Sequence, residues 1–203
     1  DPAIRTLADR WVKRLPVEGL SLDFYAPGSM KLLALRTGWG TASLAVFLQL
    51  GLSTSNKHRH MDAGSFQIAR GKDWLSRETV GYTNQILVEG TTKVDCKTAI
   101  AHNVLTFNGK GMANAYHKGN PKVSAPTLSS DRVEAQVDLS DAYRAVGSTN
   151  MTRDDNPYAK SVTRRFVFLR NLGALIILDR MEATADTVKM AFLLQGKSCT
   201  SVG

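Results

Sequence analysis

Short runs of strand-forming residues separated by turn residues recur along the chain after Pro16, at 30–36, 45–50, 65–70, 86–88, 103–107, 132–139, 162–169, 174–179 and 188–194. Parallel strands need long, usually helical, returns, and this sequence leaves little room for them. Many short strands with few helical crossovers favour a mainly β fold, an antiparallel β-sandwich. Val133, Ala135, Val137 and Leu139 alternate with polar neighbours, the pattern of a strand with one face on a core and one in water. Phe66 and Ile68 do the same between Ser65, Gln67 and Ala69. Residues 174–178, Ala-Leu-Ile-Ile-Leu, are apolar on both faces and predict a central, covered strand.

The N-terminus follows another period. Ile4, Leu7, Ala8, Trp11, Val12 and Leu15 recur at intervals of three and four, with Asp1 placed to cap and Pro2 in the first turn, so the spacing predicts a helix over 2–15. A second, short helix capped by Asp141 is expected over 142–146. Residues 109–130 lack clear periodicity and are rich in Gly, Pro, Asn and Ser, which predicts a functional or mobile loop. With no internal repeat and no linker-like stretch, the expected organisation is a helical tail at 1–18 and a single sandwich domain at 19–203.

A chain of 203 residues with 43% apolar residues can bury a substantial core, which excludes a disulfide knot or a disordered polymer. The net charge of +8 attracts polyanions, but the excess is spread over the whole chain with no basic tail and no basic-aromatic motif, so nucleic acid is not the expected partner. No apolar stretch is long enough to span a bilayer. Cys96 and Cys199 allow one bridge or two free thiols and do not decide the compartment.

The chemistry concentrates in His58-Arg59-His60-Met61-Asp62. On an extended segment residues two apart face the same side, so His58, His60 and Asp62 can address one site. Imidazole with carboxylate is a common zinc ligand set.

This segment with its Asp-Ala-Gly-Ser-Phe extension, the run from Gly71 through Glu78 to Gly81-Tyr82, and the run from Ala101-His102-Asn103 to Gly111 together resemble the heparinase II/III-like family of polysaccharide lyases. Arg164 to Leu169 and Leu175 to Arg180 resemble the paired core strands of that family's sandwich domain, so the resemblance spans roughly residues 20–195. It implies a β-sandwich preceded by an α-helical toroid that supplies part of the catalytic set. The chain would then be the C-terminal part of a larger lyase, with 2–15 as the toroid's tail.

The resemblance also implies a structural zinc held by His60, Glu78 and His102, and a catalytic role for His58. Heparinase II, of that family, carries Asp where Glu78 stands; glutamate ligates zinc as well but is one methylene longer. Asp62 is the rival carboxylate, as a ligand or as a group that orients a histidine. The activity implied is eliminative cleavage of a uronate-containing polymer, heparan-type or alginate-type, by a secreted or periplasmic enzyme. Such cleavage needs the uronate carboxylate quenched, the C5 proton removed and the leaving oxygen protonated. His58 suits the role of base or charge-quenching donor because imidazole titrates near neutrality. Lys57, Arg59 and Arg77 are candidates to hold the polyanion, with Tyr82 beside them. A non-catalytic carbohydrate-binding or scaffolding module is the rival function, and a zinc hydrolase a third.

Plainer readings apply elsewhere. His117 is expected in solvent, Trp39 and Trp74 in packing at strand ends with sugar stacking as the alternative, and 154–156 in a turn leading into Pro157. Arg164 and Arg165 are adjacent in a strand, so both cannot face the core.

Overall fold

The computed structural model describes residues 19–52, 60–78, 97–112, 121–144 and 156–196. Five strands, β1 (Asp23–Ala26), β2 (Leu32–Arg36), β3 (Leu44–Gln49), β4 (Ser65–Arg70) and β5 (Asp73–Ser76), form an antiparallel meander in chain order. Alternation decides its faces. Leu33, Leu35, Val46, Leu48 and Phe66 turn inward and are buried, while the row Phe24, Ala34, Phe47 and Gln67 is paired across the outer face.

A second sheet supplies the other half of the core. Its strands are β7 (Lys122–Val123), β8 (Thr127–Leu128), β9 (Arg132–Asp138), β10 (Ala159–Leu169) and β11 (Ala174–Ala183), in the order β11-β10-β9-β7 with β8 also on β9. Val133, Ala135, Val137, Phe166 and Phe168 pack in one cluster with the inner residues of the first sheet. A two-stranded ribbon of β6 (Leu105–Phe107) and β12 (Met190–Phe192) joins them, and α1 (Ser140–Arg144) follows β9. The expected antiparallel sandwich is therefore observed, and among the described residues no helix is long and apolar enough to cross a membrane.

Two buried arginines stand along this part of the chain, one midway along β10 and one just past its end. Arg164, on the strand, pairs with both carboxylate oxygens of Asp179 on β11 at 2.7 and 2.9 Å. Arg170, in the 3₁₀ turn that ends the strand, takes both oxygens of Asp23 on β1 at 2.8 and 2.7 Å, and also donates to the carbonyls of Ser130 and Arg36. Arg165, one residue on from Arg164, faces out to Glu134, as alternation requires.

Some sequence expectations differ from what is observed. The 174–178 run is not a central strand: β11 ends its sheet, and its outer face leaves Ile176 41% and Leu178 53% exposed. Apolarity on both faces records composition and cannot say whether a neighbour covers the second face. The short helix begins at Ser140, and its first free amide is met by Asp138, whose Oδ1 accepts from the Ser140 N–H at 2.9 Å. Asp141 instead pairs with Lys122 and Arg144. Within the expected long loop, β7 and β8 pair with β9. Strands β1 and β5 were not anticipated, being four residues each with mixed exposure. The expected helix at 2–15, the strand at 86–88, both cysteines and His117 lie outside the described residues.

Candidate metal centre

The site is built by two tight turns. After β3 the chain returns through His60, Met61 and Asp62 and enters β4 by a turn in which the Ser65 N–H donates to the Asp62 carbonyl at 2.9 Å and the Gly64 N–H to that of Gln49 at 2.7 Å. Gly64 sits at φ +73°, and a Cβ there would lie 3.0 Å from Leu139 Cδ1. Only glycine meets both demands at low cost. The second turn is a 3₁₀ turn, Ala99–Ala101, whose last amide bond, from the His102 N–H to the Ala99 carbonyl at 3.0 Å, sets His102 at its exit.

These turns bring His60, Asp62 and His102 together, one ligand atom of each within 4.8 Å of the other two. The two imidazole rings lie 5.3 Å apart, tilted by 54°. Asp62 and His102 are buried, and Asp62 Oδ1 has no hydrogen-bond partner among the described residues. Burial pushes the Asp62 carboxyl up to about 6, with Glu78 adding to the rise and His102 and a hydrogen bond to Gln49 opposing it.

Glu78 stands behind this group. Its Oε1 lies 3.1 Å from His102 Nδ1 and accepts from Ser65 Oγ at 2.5 Å. Burial pushes its carboxyl up, but the contact with His102, its charge and the Ser65 bond outweigh that and hold the group below its ordinary range. A carboxylate on one nitrogen of an imidazole fixes the tautomer and leaves the other nitrogen for a metal. Two histidines and a buried carboxylate with an unmet oxygen are a donor set that fits zinc, with Glu78 in contact either as a further ligand or as the group orienting His102.

Ser65, Asn103 and Arg164 carry this geometry inward. Asn103, next to His102, donates from its amide to the Phe66 carbonyl at 2.6 Å and to Ser76 Oγ at 3.0 Å, accepts from the Gln195 N–H at 2.5 Å, and donates its backbone N–H to Ser65 Oγ at 3.2 Å. Sequence reading did not assign these roles. The one signal available was the Arg-Arg pair in a strand, which forces one guanidinium inward and so demands buried acceptors.

Of the other expected site residues, Arg77 is exposed one position before Glu78. Lys57, His58, Arg59 and Tyr82 lie outside the described residues. A cleft of 360 Å³ opens on the outer face of the first sheet, lined by Phe24, Leu32, Phe47, Gln67 and Trp74 and reaching Ser65 and Glu78 at one end. Trp74 packs on Phe47 with ring centres 6.1 Å apart while remaining 37% exposed. Trp39 donates to the Leu20 carbonyl, and Arg36 stacks over it at 4.6 Å. Asn156 is buried and holds the carbonyls of Lys110 and Gly111, a structural role in the turn leading to Pro157.

No family model and no curated protein matches the sequence. Solved structures do match the fold. The heparan sulfate lyase HepC from Pedobacter heparinus superposes with a TM-score of 0.59 at 14% identity over 90% of this chain and 25% of its own. A heparinase III gene product gives 0.56 at 13% identity over 81% of this chain and 22% of its own. A further heparinase III gives 0.51 at 13% identity over 77% and 22%. At such identity the likeness establishes the fold, that of a portion of these lyases, and the chain spans at most a quarter of their length.

Proposed function

We propose that this chain is the β-sandwich part of a polysaccharide lyase that cleaves an acidic, uronate-containing polysaccharide by β-elimination and holds one structural zinc. The observation that carries the reading is the meeting of His60, Asp62 and His102 from two turns remote in sequence, beside a half-buried Glu78, in a fold also seen in part of heparan sulfate lyases. Zinc would be held by His60, Asp62 and His102, with Glu78 as fourth ligand or as the partner of His102 Nδ1. When bound it ties the two turns together and lowers the charge cost of burying the carboxylates.

The elimination balances as follows. A base takes the C5 proton of the uronate, the freed electron pair becomes the C4–C5 double bond, the C4–O bond breaks, and the departing oxygen takes a proton. His58, two residues before His60, is the proposed base or charge-quenching donor, with Lys57, Arg59, Arg77 and Tyr82 holding the anionic chain. An α-helical toroid elsewhere in the same protein would complete the catalytic set, and the enzyme would be secreted or periplasmic, acting on heparan-type or alginate-type polymers.

The cleft lined by Phe47 and Trp74 favours a second reading, a saccharide-binding module without chemistry, because exposed aromatic faces suit sugar rings. The test is the ultraviolet absorbance of unsaturated uronate when the protein containing this chain meets heparan sulfate or alginate, with His58→Ala alongside. Turnover lost in the variant, with metal content retained, supports the lyase. Saccharide binding without turnover in the wild type leaves only the module.

A further inference from the structure

The Arg164 guanidinium is fully buried between the sheets. Its Nε and Nη2 are engaged by Asp179, which leaves Nη1, and that one nitrogen donates to two backbone carbonyls, Gly64 at 2.8 Å and Asn103 at 2.9 Å. Gly64 belongs to the turn that carries His60 and Asp62; Asn103 directly follows His102. The Phe192 ring lies beneath the guanidinium at 4.9 Å and restrains its plane.

We propose that Arg164 is a positioning residue of the metal centre: from within the core it fixes the spacing between the two turns that bear the ligands. The inference rests on the zinc reading above. The planar guanidinium is what makes it possible, since its donors lie in a rigid fork and the spacing between two acceptors of one nitrogen follows from that geometry. A lysine ammonium at the end of a flexible stem cannot hold a carboxylate at two points and both carbonyls in one plane. Asp179 contributes twice. It aligns the fork, and it neutralises a buried cation that would otherwise oppose a divalent metal nearby. Asn103 is also tied through its own side chain, so loss of Arg164 loosens the site without abolishing it.

Arg170 provides the control, being a buried arginine that also holds both oxygens of a carboxylate, through Nη2, and two carbonyls, while among the described residues no metal-binding cluster stands on the turns it holds. The experiment uses the 203-residue chain: zinc affinity by competition with a chromophoric chelator, and the visible spectrum of the cobalt-loaded protein as a report of ligand geometry. For Arg164→Lys the zinc Kd is expected to rise about 10- to 100-fold, the range for outer-shell partners of metal ligands, with a shifted cobalt spectrum. Arg170→Lys should lose comparable thermal stability while keeping both affinity and spectrum. A folded Arg164→Lys with wild-type affinity and spectrum overturns the proposal, as does an Arg170→Lys that loses as much affinity. Should Arg164→Lys fail to fold, Asp179→Asn decides: about tenfold weaker zinc supports the role and unchanged zinc refutes it. A wild type that binds neither zinc nor cobalt removes the zinc reading itself.

Discussion

Arg164, midway along β10, and Arg170, just past its end, solve the same problem with similar parts: a buried guanidinium, a carboxylate held at both oxygens and two backbone carbonyls. What differs is the backbone that each one holds. Arg170 gathers the end of β2, the turn before β9 and the edge strand β1, and among the described residues none of these bears a metal-ligand cluster. Arg164 gathers the two turns on which His60, Asp62 and His102 stand. A device that staples one sheet to the other past the end of β10 thus supports a site when placed midway along it, and the pair separates stability from site geometry within one molecule.

The largest effect is expected for Arg164→Met, which strands Asp179 and two carbonyls in the core; breaking a buried pair of this kind costs about 3–5 kcal/mol, read as a fall in the denaturation midpoint. Zinc affinity should fall with it. Arg170→Met should cost about 3 kcal/mol, at the lower end because the Arg170 side chain is 8% exposed while that of Arg164 is fully buried, with zinc affinity in the folded protein unchanged. Equal affinities for the two variants would erase the contrast between the two arginines.

Metal removal lies in the same range. At zinc a thousandfold above its Kd, chelation should remove about 4 kcal/mol of stability from the wild type. In His102→Ala a chelator should no longer change the melting temperature, and a persisting shift would place the metal elsewhere. Gly64→Ala should cost about 1–2 kcal/mol through its left-handed backbone and the contact with Leu139, measured by thermal melting, and should weaken zinc by moving the turn. The smallest effect belongs to Leu178→Lys, within about 0.5 kcal/mol of wild type, because the side chain faces out on the edge strand. A loss of several kcal/mol there would mean that the face is covered.

How much of this was legible depends on whether one strand's pattern is enough to define its environment. β9 was readable because its faces differ: Val133, Ala135 and Val137 are buried and their neighbours are not. β11 misled because Ile176 and Leu178 look like core in any strand, and only the packing of the folded sheets shows that they lie on a face nothing covers among the described residues. His60, Asp62 and His102 could be named as chemistry from local spacing and motif. The spacing of two also put Asp62 on the side of His60, but the meeting of that pair with His102, and of Glu78 with His102 Nδ1 and Ser65, depends on how distant turns meet and has no local signature. Asp179 was hidden for the same reason, since it meets Arg164 only through the β10–β11 register.

The bonds from Arg164 to Gly64 and Asn103 span 100 and 61 residues of chain, and that from Arg170 to Asp23 spans 147. Closing loops of this size costs entropy before any contact rewards it, so such pairings form when the rest of the sandwich is already in place. Competence to bind metal should therefore emerge late in refolding, together with the docking of β10. A metal-sensitive dye added during refolding would report the closing of the whole sandwich.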